Sequence, residues 1–185
     1  MQNSSGAAAQ LRRRAGRRGL SWKSDAAQES MKPEQEISET SSRTFDPGRA
    51  AERAEELFQG GWNCAESVFL AVHGQAGPGE APVHLVTALG GGMGKKKTCG
   101  ALTGGIVALG LAFGRRQPDE AAKKEAYARG AELYQDFRDR FGSVDCWQLT
   151  CHYQSAQEKK RGCSRLVRMA AERACALIAE RRRNP

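Results

Sequence analysis

The sequence predicts an all-α fold, a small helical bundle of about five to seven helices with a central Gly-rich helix. Three observations lead there. Apolar residues recur at helical spacing in one segment after another, and period-2 strand patterns are absent. The segment from Cys99 to about Phe113 also carries Gly100, Gly104, Gly105 and Gly110, each costing about 1 kcal/mol of helix propensity relative to Ala. A helix built that way survives only when close packing buries it, which places it at the centre.

The elements follow in order. Asp46-Pro47 is a helix start, with Asp as N-cap and Pro at the first helical position, and Ala50, Ala51, Ala54, Leu57 and Phe58 form its apolar stripe. Gly60-Gly61 ends it. Asn63 caps the next helix while Glu66 reaches back as in a capping box, so Cys64 takes the first helical position and Val68, Phe69 and Val72 pack inward. A short helix is expected over Ala81 to Leu89, then a loop through Gly90, Gly91, Gly92 and Gly94. Thr98 is the expected N-cap of the Gly-rich helix. Asp119 caps a long helix from Glu120 to about Phe141, burying Ala126, Leu133, Tyr134 and Phe137. Ser143 is expected to cap a short helix holding Cys146, Trp147 and Leu149. The final helix is expected from about Ser164 to Arg182, with Leu166, Val167, Ala170, Ala174, Leu177 and Ile178 inward.

Composition divides the chain at residue 45. Residues 1–45 hold almost no Leu, Ile, Val or Phe and are rich in Ser, Gln, Glu and Arg, so they cannot bury enough surface to offset chain entropy. They are read as a disordered N-terminal extension, and 46–185 as the folded domain. The break also makes Met31 an alternative start, with 1–30 an upstream extension of the reading frame.

The net charge of +8 suggests nucleic acid, but residues 1–45 contribute +3 and 46–185 contribute +5. Lys95 to Lys97 and Arg181 to Arg183 account for more than that second share, and aromatic content is 6%. Without a basic surface interleaved with aromatics, nucleic-acid binding is not expected. Nor is a membrane span, because no stretch approaches the ~20 apolar residues required. The arginines near the start precede no apolar core of a signal peptide, so the location is read as cytoplasmic. In a reducing cytosol six cysteines are ligands, redox groups or inert core residues rather than a disulfide framework.

Four of those cysteines, Cys64, Cys99, Cys146 and Cys163, fall where helices are expected to begin. Unpaired N–H groups and partial positive charge there stabilise a thiolate, the form that attacks disulfides and binds metals. Separations of 35, 47 and 17 residues leave no local metal clip, so any joint site must be assembled by tertiary structure. Cys175 lies on the edge of an apolar stripe and reads as core. Cys151 with His152 offers accessory ligands. The loop of Gly90, Gly91, Gly92 and Gly94, with Gly100 beyond it, lacks a Walker pattern and follows no strand. It is read as allowing close approach to a site at Cys99, with Lys95 to Lys97 helping to keep that thiol deprotonated. With only His73, His84 and His152 available, no Ser-His-Asp arrangement can be argued.

Trp62-Asn63-Cys64-Ala65-Glu66, the glycine run, Cys99-Gly100-Ala101-Leu102-Thr103-Gly104, the Gly142-to-Cys146 segment and Cys163 together resemble the family named for its pattern C_GCAxxG_C_C. The resemblance implies a small redox-active domain. Two mechanisms are expected: thiol–disulfide exchange, or electron transfer through an iron–sulfur cluster held by Cys64, Cys99, Cys146 and Cys163. The alternatives are a structural four-cysteine zinc module and a non-enzymatic interaction module with inert thiols. A redox partner protein or small thiol is the expected partner, and the Gly-rich helix is compatible with a homodimer.

Overall fold

The computed structural model describes residues 45–76 and 79–183. The readings for residues 1–44, disorder and a start at Met31, lie outside the described residues. Helix α1 (Pro47–Gln59) opens as expected, the Asp46 carboxylate accepting the Arg49 N–H at 3.0 Å. Helix α2 (Cys64–Ala76) begins with the expected capping box. The Asn63 side-chain oxygen accepts from Ala65 N–H at 2.9 Å and Glu66 N–H at 3.1 Å, and the Glu66 carboxylate accepts the Asn63 N–H at 2.9 Å. Glu66 is buried, and its second oxygen accepts the Thr87 hydroxyl at 2.7 Å, so the cap also fixes the following loop.

That loop contains two 3₁₀ turns, Val83–Leu85 and Thr87–Leu89, in place of one short helix. Pro82 has no N–H, and the N–H groups after it bond three residues back, Leu85 to Pro82 O and Val86 to Val83 O at 3.0 Å each, which is the 3₁₀ pattern. The backbone then passes through a left-handed turn. Gly91, Gly92, Met93 and Gly94 have φ of 61°, 65°, 57° and 65°, and Lys96 has φ 59°.

Helix α3 (Gly100–Phe113) is the centre of the bundle, packed against α2, α4 (Glu120–Phe141) and α6 (Ala156–Arg183). A Cβ on Gly104 would overlap the Ala65 carbonyl, and one on Gly105 would come within 2.8 Å of Leu133 Cδ2. Glycine is therefore what lets α2 and α4 approach α3. Gly110 meets nothing within 4 Å, and packing gives no reason for it. Helix α4 is capped by Asp119, which accepts from Ala122 N–H at 3.0 Å, and stops at Gly142 with φ 75°. Leu133 and Phe137 face the core, whereas Tyr134 is 40% exposed, contrary to expectation. One residue on, it is turned about 100° from the face those two define.

Two boundaries move in the C-terminal part. Asp145, not Ser143, caps α5 (Cys146–Thr150), accepting from Gln148 N–H at 3.0 Å, while the Ser143 hydroxyl accepts the Asp145 N–H at 3.0 Å. Helix α6 starts at Ala156, so the polar run read as a connection is helical, with Ser155 Oγ accepting the Glu158 N–H at 3.1 Å. Its polar residues are a solvated helix face, which hydrophobic periodicity cannot see. Arg173 on α6 bridges Asp136 of α4 and Glu180, and Arg129 of α4 pairs with Glu132 and Glu180. Among the described residues no helix is long and apolar enough to cross a membrane.

Candidate thiol site

The thiol site is built from chain segments that meet near the start of α3. Thr98 and Asp145 form an antiparallel bridge, in which the Cys99 N–H donates to Val144 O at 2.8 Å and the Cys146 N–H to Lys97 O at 2.7 Å. Two backbone bonds thus hold Cys99 and Cys146 on adjoining extended segments. Thr98, expected to cap α3, is taken up by this bridge, and Cys99 itself occupies the N-cap position. Cys64 comes in from the first turn of α2, its sulfur lying where a Cβ on Gly100 would be. A Cβ on Gly92 would meet Cys146 Cβ at 2.9 Å and Lys97 N at 2.6 Å, and one on Gly90 would meet Asn63 Cγ at 2.6 Å. Gly90, Gly92 and Gly100 therefore seat three of the cysteine-bearing segments, while Gly91 and Gly94 face open space.

Cys163 reaches the same region from the second turn of α6, not from a helix start as expected. Buried Gly162 beside it lies under the Tyr153 ring, which fits only because the glycine has no side chain. Cys99 and Cys146 are buried, and Cys64 and Cys163 are half-buried. Cys175 is fully buried in α6, as its sequence position implied, and Cys151 is exposed, its thiol directed at Gln148 O at 3.8 Å.

The electrostatics reverse one expectation. Burial pushes the Cys99 thiol up to about 12, with the charges of Cys64 and Cys146 adding to the rise. The nearby N–H groups of Ala101 and Leu102 oppose the rise, as a helix start should, but removal from water outweighs them. Cys163 is raised by burial and then by Cys64 and Cys146 to about 11, against Lys159 and Lys96. Cys146 is raised by burial and Cys64, opposed by Lys96, Lys159 and the Thr150 hydroxyl. The buried thiols are protonated at neutral pH, and the lysine loop does not deprotonate Cys99. Cys175 rises to about 12 through burial and the charge of Asp46.

Cys64, Cys99, Cys146 and Cys163 are thus near enough to repel one another once charged. They are not gathered as ligands: among the described residues no group of three or more Cys, His, Asp or Glu is placed to hold a metal ion. The arrangement does not fit a preformed iron–sulfur or zinc site. What it offers is a set of reduced thiols, two half-buried and two buried, beside two ammonium groups. Lys159 was missed in the sequence because its segment was read as a connection, although its spacing of four residues from Cys163 puts both on one helix face.

No curated protein and no solved structure matches the chain. A family model does, over residues 62–177, a span that starts beside Cys64 and includes all the cysteines of the site. Its description is "Putative redox-active protein (C_GCAxxG_C_C)", and since it covers more than half of the chain, this protein belongs to the C_GCAxxG_C_C family.

Proposed function

We propose that Cys64, Cys99, Cys146 and Cys163 act together as a thiol–disulfide exchange site. The observation that carries this reading is the position of Cys64. It is the common charge neighbour of Cys99, Cys146 and Cys163, and it is half-buried at the first turn of α2, with access to solvent that Cys99 lacks. In the reaction the Cys64 thiolate attacks one sulfur of a substrate disulfide, the substrate S–S bond breaks, and the leaving thiolate takes a proton. A neighbouring cysteine, deprotonated as it attacks, then displaces the second half as a thiol. Two protein thiols become one disulfide while the substrate disulfide becomes two thiols. Retention of protons on the buried sulfurs suits the resolving role, since they stay inert until a mixed disulfide forms beside them.

The experiment is anaerobic purification, metal analysis, stepwise oxidation and disulfide mapping by mass spectrometry. The expected result is metal-free protein whose first disulfides join Cys64 to one of the other three. Stoichiometric iron with labile sulfide, or stoichiometric zinc, would replace this reading with a cluster or a structural metal module. Unchanged pairing in Cys64→Ser would remove Cys64 from the reaction.

A further inference from the structure

We propose that Lys96 and Lys159 form an anion-binding subsite that selects carboxylate-bearing small disulfides or thiols; this rests on the exchange reading above. Lys159 stands one helical turn before Cys163 on α6, and Lys96 adjoins Lys97, whose carbonyl holds the Cys146 N–H. The two lysines therefore arrive from separate segments, each beside a different cysteine. The turn that carries Lys96 and helix α6 both pack against α5, and the two ammonium groups come near enough to repel each other. Both are half-buried, whereas Lys95, Lys97 and Lys160 are exposed.

Two juxtaposed cations normally acquire a carboxylate between them, yet among the described residues neither ammonium has an Asp or Glu partner. The backbone carries a cost to keep Lys96 there. Its φ of 59° is left-handed, a conformation unfavourable for a side chain of this size and shared in this loop by Met93 besides the glycines. The resulting field attracts a negative group to a point beside Cys146 and Cys163, the two thiols on which both lysines act. A substrate with a carboxylate within reach of its sulfur satisfies both features: the carboxylate sits between the ammoniums and the sulfur lies against the attacking Cys64, the charge neighbour of both those thiols. An uncharged disulfide gains only the second, and a cationic one is repelled.

The test uses the full chain in a Cys151→Ser background, which removes the exposed thiol. Reduced protein is reacted anaerobically with glutathione disulfide, bis(2-hydroxyethyl) disulfide and cystamine, which are anionic, neutral and cationic. The expected rate order is anionic, neutral, cationic, with about tenfold between the extremes. Lys96→Gln and Lys159→Gln should each cut the anionic-to-neutral ratio by about threefold or more, while Lys124→Gln on exposed α4 surface, with the same change in net charge, leaves it intact. Equal slowing toward all three reagents would mean that the lysines act only on thiol ionisation, and an equal effect of Lys124→Gln would mean a general field; either result overturns the subsite. Sulfate at matched ionic strength gives a readout independent of exchange. It should raise the thermal midpoint of the parent more than that of Lys96→Gln, and equal shifts would overturn the subsite even where exchange occurs. A sulfate difference without any thiol oxidation would instead retain the anion subsite and reject exchange.

Discussion

Three glycine-to-alanine substitutions along α3 separate close packing from helix propensity. Each adds one methyl group to the same helix; at Gly104 and Gly110, inside it, this should gain about 1 kcal/mol of propensity, and at Gly100, its first residue, less. At Gly110 nothing lies within 4 Å of the added Cβ, so that gain is unopposed and the variant should be more stable by about 0.5–1 kcal/mol. At Gly104 the Cβ would lie 2.9 Å from Ala65 Cα and 3.0 Å from its carbonyl carbon, besides overlapping the carbonyl oxygen. These are backbone atoms of α2 and cannot rotate away, so the overpacking cost of about 1–3 kcal/mol, or more, outweighs the gain. At Gly100 the obstacles are the Cys64 sulfur, Leu89 O at 3.0 Å and Gly90 Cα at 3.2 Å. The sulfur can swing aside, so stability should fall less than at Gly104, but Cys64 is displaced from its neighbours. Urea unfolding gives the order Gly110→Ala, wild type, Gly100→Ala, Gly104→Ala, and alkylation of Cys64 followed by peptide mass spectrometry should change rate only in Gly100→Ala and Gly104→Ala. A Gly104→Ala variant as stable as wild type would refute the claim that α2 and α3 touch through their backbones.

Removing the cap of α2 by Asn63→Ala leaves the Ala65 and Glu66 N–H groups unpaired and breaks the bond to Thr87 O, which should cost about 1–2 kcal/mol in denaturant unfolding and loosen Cys64. Raised thiol pKa values also predict loss of stability at alkaline pH. Below the unfolded value near 9 both states keep their protons; between there and about 11–12 the unfolded chain releases protons that folded Cys99, Cys163 and Cys175 retain, so the unfolding free energy falls as pH rises. Cys175→Ala should flatten part of that slope in urea midpoints taken from pH 8 to 11, and an unchanged slope would contradict the assignment. Arg173→Ala should cost about 1 kcal/mol, less in high salt, because its carboxylate partners on α4 and α6 are only partly shielded from water; calorimetry at two salt concentrations measures both effects.

Most helices were legible because their signals are local. Asp46-Pro47, Asn63 with Glu66, and Asp119 each place a capping oxygen next to the N–H groups it satisfies, and the structure contains all three caps. Where the signal was tertiary, it failed. Thr98 has the chemistry of an N-cap but is claimed by an extended pairing with Asp145, 47 residues away. The first two turns of α6 carry Lys, Arg and Gln on a surface that packs only in part, so apolar periodicity stops short of the true start. Tyr134 lay next to the buried stripe, and a single helical step decided its exposure.

The cysteine site shows the same division at the level of chemistry. Four cysteines could be singled out as candidates from their places in the chain, but their ionisation could not be read there, because helix-start N–H groups and burial push in opposite directions. Only the depth of burial says which is larger. At Cys99 both act on one sulfur: the N–H groups of Ala101 and Leu102 favour the thiolate, and burial overrides them to reach about 12. The lysines were similarly half legible. Lys95 to Lys97 is a visible run, yet Lys96 alone of the three acts on the site, turned there by a left-handed backbone that glycine-rich sequence permits without specifying. Its counterpart Lys159 comes from a helix whose beginning the sequence concealed. A charge pair built from two segments is invisible until both are folded, so the sequence could point to thiol chemistry while leaving the charge beside the thiols to be read from the structure.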